Sequence, residues 1–119
     1  MPHFPQSNSR KRSPRVRVPN DEAIKINIGG KLVTAVLQRL SLTGGLAAFQ
    51  GSVTAGSLGE VHIKTTNGPV KGLVEFMKPQ KSGSNLYPFR FIALDDSDFK
   101  RLNQTLQLMR KMGLGDDAN

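Results

Sequence analysis

Ile24-Lys25-Ile26-Asn27-Ile28-Gly29-Gly30-Lys31-Leu32-Val33-Thr34-Ala35-Val36-Leu37-Gln38-Arg39-Leu40 carries two extended runs joined by a glycine pair. In the first run isoleucine alternates with a polar residue, a period of two that puts Ile24, Ile26 and Ile28 on one face of a strand. Gly29-Gly30 suits a two-residue hairpin turn, whose central positions need the positive φ that glycine adopts without steric penalty. The return run, residues 31–40, has Val33, Ala35 and Leu37 on one face and Leu32, Val36 and Leu40 on the other. Both faces read as partly covered, so periodicity leaves its inside unassigned.

The pattern repeats downstream. Residues 46–49 form a short strand before a Gly/Ser-rich loop at 51–59. Val61 and Ile63 then alternate with Glu60, His62 and Lys64, Asn67-Gly68 makes another tight hairpin, and Val70, Val74 and Phe76 share a face opposite Lys71 and Glu75. A polar loop at 78–85 leads to a sixth strand marked by Phe89, Phe91 and Ala93, with Pro88 confined to its start or an edge. After Leu94 the period changes: Phe99, Leu102, Leu106 and Met109 form one stripe of an amphipathic helix. Asp95 is placed to cap it with Asp98 three residues on, Arg110 and Lys111 suit its negative end, and Gly113 can close it. Six short antiparallel strands and one helix predict an all-β architecture, a closed six-stranded antiparallel β-barrel, because closure removes exposed edges. The C-terminal helix should cover one opening or one face.

Upstream of the hairpin the composition differs. Residues 1–19 hold four prolines and the bases Arg10, Lys11, Arg12, Arg15 and Arg17, with no acid and no apolar period. The net charge of +8 comes from 17 basic and 9 acidic side chains, and removing these five bases leaves 12 against 9, or +3, elsewhere. The basicity is therefore local, which points to a discrete anionic partner. The expected organisation is a flexible basic arm at 1–19, a barrel with its helix at 20–113, and a disordered tail at 114–119. The 119 residues accommodate one core. With no cysteine, no apolar leader and no apolar run near the roughly 20 residues that span a bilayer, the chain reads as soluble and cytoplasmic, without membrane contact.

Leu40-Ser41-Leu42-Thr43-Gly44-Gly45 follows the second strand. Alone, such a turn is usually only a turn, and a basic terminus is usually a solvated tail. Together, an arm folding back onto a Ser/Gly turn offers guanidinium forks and close backbone approach, which suits a phosphate-bearing ligand with a planar base. His3 and His62 have no metal-ligand spacing around them, and no nucleophile, base and orienting group can be assembled. Neither an enzyme nor a metal or cofactor is expected.

These residues resemble the PilZ domain family over about residues 10–112. The likeness rests on an R-x-x-x-R arm running into Arg15-Val16-Arg17-Val18-Pro19, a D/N-x-S-x-x-G turn after the second strand, and a last strand leading into a helix. In the arm the four-residue spacing to Arg15 lands on Lys11, flanked by Arg10 and Arg12; in the turn Ser41 and Gly44 match while Arg39 takes the Asp/Asn position. The resemblance implies a six-stranded barrel with a C-terminal helix that binds the bacterial second messenger cyclic di-GMP. By the same carry-over, Ser41, Gly44 and Gly45 dock the dinucleotide while Arg15 and Arg10 or Arg12 meet phosphates and guanine edges, and Lys11 neutralises phosphate without the guanidinium fork. Arg39, a donor-only group, would reach a phosphate oxygen or a base acceptor. Ordering of the arm would then expose or hide the surface read by a downstream protein partner. The alternative is a degenerate PilZ domain that has lost the nucleotide and serves as a protein-interaction adaptor. Single-stranded nucleic acid ranks last, since most of the six Phe and one Tyr alternate into the expected core and leave little stacking surface. Leu108 and Met112 lie off the helix stripe and could form a self-association face, which admits a homodimer.

Overall fold

A computed structural model describes residues 2–3, 15–18 and 22–115, the first two by backbone pairing alone. In chain order the elements are β1 (Pro2–His3), β2 (Val16–Arg17), β3 (Ala23–Ile28), β4 (Lys31–Leu40), β5 (Gly44–Phe49), β6 (Leu58–Thr65), β7 (Gly68–Phe76), β8 (Leu86–Asp95) and α1 (Asp96–Lys111). Strands β3 to β8 form a ring: β3 pairs with β4, β4 with β5, β5 with β8, β8 with β7, β7 with β6, and β6 returns to β3, every pair antiparallel. The barrel is closed, as the six alternating runs predict, and each of its strands is paired on both sides.

Alternation sets the inside. Ile24 and Ile26 on β3, Val61 and Ile63 on β6, and Val70, Val74 and Phe76 on β7 are all buried. The Phe49 and Phe76 rings meet edge-on with centroids 5.4 Å apart, and Phe89 and Phe91 do so at 5.8 Å, a geometry that aligns ring edges with ring faces.

Two strands break strict alternation, and that resolves the unassigned face of residues 31–40. On β4, Leu37 pairs with Ala47 and Arg39 with Leu46, so Gln38 is an extra residue in a β-bulge. The shift lets Leu37 and Leu40 both point inward although they are three positions apart. On β8, Val74 faces Phe91 and Leu73 faces Ala93, so Ile92 is the extra residue and Leu94 joins the core after Phe91.

Leu102 and Leu106 on α1 are buried in the same cluster as the barrel side chains, with Phe99 and Met109 packed against it. Asp95 stands at the helix N-cap but makes no side-chain cap hydrogen bond. Asp98 reaches further: its carboxylate accepts from Lys71 N at 3.0 Å and pairs with Arg101 at 2.9 Å, while Arg101 Nε donates to the Pro69 carbonyl at 2.7 Å. These bonds fix the helix start to the head of β7. Gly113, at φ +83°, follows the helix, and Leu108 and Met112 are exposed.

The described part of the N-terminal stretch is not free of the barrel. Val16 is 0% exposed, β2 pairs with the end of β4, and Arg17 N donates to the Leu114 carbonyl at 2.8 Å. Val16 also bridges Gly115. Residues 15–18 of the expected arm, with Leu114 and Gly115 of the expected tail, thus lie on the folded domain. Val16 and half-buried Val18 supply enough apolar alternation to lay a strand on the sheet, and the residues after α1 close over its outer edge. Arg10, Lys11 and Arg12 lie outside the described residues.

Candidate functional site

The antiparallel register of β2 on β4 pairs Val16 with Leu40 and Arg17 with Arg39. One step further along both chains, Arg15 comes beside Ser41, the first residue of the turn. Val16 points into the core, so its neighbours Arg15 and Arg17 leave the sheet on the other face. The Gln38 bulge turns Arg39 to that outer face as well, next to Leu46. Register therefore aligns Arg17, Arg39, Leu46 and Pro88 as one outward row across β2, β4, β5 and β8. Like charges directly opposite each other on neighbouring strands are unfavourable. The Arg17–Arg39 pair sets two cationic side chains next to each other on the outer face.

The turn itself is built around one hydroxyl. Ser41 is 2% exposed; its Oγ accepts from Thr43 N and Gly44 N at 3.2 Å each and donates to the Gly44 carbonyl at 3.2 Å, while Ser41 N donates to that carbonyl at 2.7 Å. A serine hydroxyl has one donor and two lone pairs, so these bonds use its capacity. Ser41 braces the turn from within. Ser41→Ala leaves the half-buried Thr43 and the buried Gly44 amides without this acceptor and is expected to lower unfolding free energy by about 1–3 kcal/mol. A urea midpoint equal to the wild type would show that the turn holds without the hydroxyl.

Gly44 and Gly45 have packing reasons to lack side chains. A Cβ at Gly44 would overlap the Phe89 carbonyl oxygen and sit 2.9 Å from Arg90 Cα, and one at Gly45 would overlap the Arg39 carbonyl oxygen. Bare backbone here lets the turn close on β8, where Phe91 N donates to the Thr43 carbonyl at 2.9 Å. The turn is therefore packed through its own main chain onto β8.

Sequence reading singled out Arg15, Arg39, Ser41, Gly44 and Gly45, and the fold brings all five to one end of β4. As candidates it named neither Arg17, which falls in the row of Arg39, nor Arg90, which pairs with Gly44. Arg17 could have been found from its alternation with Val16; the place of Arg90 depends on which strand pairs with β5, which no local pattern gives. Among the described residues no group of three His, Asp or Glu could hold a metal ion, and His62 is exposed and bonded to Glu60 at 3.1 Å. Among them too, no helix is long and apolar enough to cross a membrane.

No protein-family model and no curated protein matches the sequence. Solved structures do match. The PilZ domain with c-di-GMP of YcgR from Escherichia coli superposes with a TM-score of 0.69 at 13% identity, covering 88% of this chain and 95% of that one. The PilZ domain of CeSA from a cellulose-synthesizing bacterium gives 0.57 at 12% identity, covering 83% and 97%. The Bacillus subtilis inhibitor of motility, MotI/DgrA, gives 0.62 at 13%, covering 89% of this chain and 53% of that one. The chain has a PilZ-like fold.

Proposed function

We propose that this PilZ-like domain is a receptor for cyclic di-GMP that works by binding and ordering, with no chemical step. The observation that carries the reading is the pairing of β2 with the end of β4, which brings Arg15, Arg17 and Arg39 to the Ser41–Gly45 turn. A cyclic dinucleotide presents two phosphates and two planar bases. Guanidinium groups suit both, forming two-point hydrogen bonds to phosphate and stacking on a base face. Half-buried Leu46, opposite Arg39, and half-buried Pro88, next along the same row on β8, offer apolar contact for a base. Likeness to the YcgR domain, whose structure holds c-di-GMP, supports the choice of ligand. Residues 10–12 would close over the bound dinucleotide and so change the surface met by a downstream protein.

Calorimetric titration of cyclic di-GMP at low salt tests the reading. Arg15→Gln should weaken binding by roughly ten- to a hundredfold, the loss of one hydrogen bond from a charged donor. No binding by the wild type up to high micromolar ligand would overturn it. Two observations favour a second reading, a protein-interaction adaptor without nucleotide: Arg39 has only donors where guanine would meet an acceptor, and the Ser41 hydroxyl is engaged inside the turn. The double substitution Lys11→Arg with Arg39→Asp separates the two. A large gain in affinity identifies a site that had lost its ligand, and no gain identifies Arg39 as a working substitute.

A further inference from the structure

We infer that Arg90 is a fourth arginine of this site, held in reserve by Glu75, which competes with the ligand for its guanidinium; the inference rests on the ligand-binding reading above. Arg90 lies on β8 between two strands, opposite Gly44 of β5 on one side and Glu75 of β7 on the other. Its backbone abuts the turn, because the missing Cβ of Gly44 lets the two main chains close together. Its side chain goes the other way. Nε and Nη2 contact Glu75 Oε1 at 2.7 and 2.6 Å.

No side chain stands at position 44 to separate the Arg90 guanidinium from the turn. Rotated away from β7, it would cross Gly44 toward Ser41 and Arg15, one row from Arg39, Leu46 and Pro88, so that cations flank the turn from both sides. A dianion with charges at opposite ends of a ring is matched better by two opposed cationic groups than by one cluster. The pair that must be given up is weak, for its side chains are 48% and 28% exposed and water screens them. Glu75 takes both contacts on one oxygen, and a phosphate can replace it with an oxygen for each nitrogen.

Titration of the full-length protein with cyclic di-GMP at low salt gives the test. Glu75→Gln should tighten binding about three- to fivefold, the magnitude of a half-exposed ion pair. Arg90→Gln should weaken it about tenfold or more, and in the double variant the Glu75 substitution should have no further effect. A binding wild type that Glu75→Gln leaves unchanged overturns the inference and keeps the ligand reading. Absence of binding in every protein overturns that reading instead. The inference is then decided by inorganic pyrophosphate, with the arginine Nε–H resonances followed by NMR: Arg90 moving together with the Gly44 amide supports it, and an unmoved Arg90 overturns it.

Discussion

Gly44→Ala is expected to destabilise the protein by about 3 kcal/mol or more, at or beyond the upper end for a side chain forced into a packed site. The added methyl would overlap the Phe89 carbonyl oxygen and press on Arg90 Cα, and neither is a side chain that can rotate aside. β5 and β8 would have to part along one seam of a closed ring, loosening the Phe91–Thr43 hydrogen bond with them. A barrel transmits such strain, since each strand is held on both sides. Two other glycines calibrate the result. At Gly72 the methyl would meet the Leu94 Cδ2 atom at 2.7 Å, which a rotamer change relieves in part, so a smaller loss is expected. At Gly51 nothing lies within 4 Å, and Gly51→Ala should fall within about 0.5 kcal/mol of wild type. Urea unfolding of the three variants gives the order directly. A Gly44 variant as stable as the Gly51 variant would show that the seam yields, and that glycine is there for the ligand and not for the fold.

That contrast bears on how much the sequence could reveal. Strand positions follow from alternation: Ile24 and Ile26, or Val74 and Phe76, point where a period of two puts them. Closure was legible because six short paired runs leave edges that an open sheet would expose. The bulges at Gln38 and Ile92 were not, although Leu37 with Leu40 and Phe91 with Leu94 give the retrospective clue of two buried residues three apart on a strand. Composition did not reveal β2 within the stretch read as an arm. Proline and basic residues mark residues 1–19, yet buried Val16, half-buried Val18, the pairing with β4 and the Leu114 carbonyl hold β2 in place. Asp95 showed a related limit: a residue of the right type stood at the cap, but the useful carboxylate belonged to Asp98, whose partner Lys71 is 27 positions away. The site divided along the same line. Arg15, Arg39 and the turn are near one another in pairing order and could be grouped from motif spacing, whereas Arg90 joins them only through the β5–β8 seam.

Substitution of Leu102 should damage the site without touching it. Leu102 is 0% exposed on α1; Leu102→Ala should lose about 2–5 kcal/mol, and Leu102→Asp more, by leaving an unpaired charge in the core. The helix and the residues after it hold β2 in place: Val16 belongs to the same buried cluster, Leu114 accepts from Arg17 N, and Gly115 bridges Val16. Loosening α1 therefore releases the strand that carries Arg15 and Arg17, whereas β3 to β8 retain their own ring of hydrogen bonds. In Leu102→Ala, hydrogen exchange at the amides of Arg17 and Val18 should accelerate well before that of β6 or β7. Affinity for cyclic di-GMP should fall in parallel. Equal protection of β2 in the variant and the wild type would refute the coupling. Linkage requires the converse as well, because two sites that share one coupling free energy influence each other equally. A ligand that grips Arg15 and Arg17 must also raise the protection of amides in the last turn of α1, so the end of the helix would report on occupancy of a site to which it contributes no side chain.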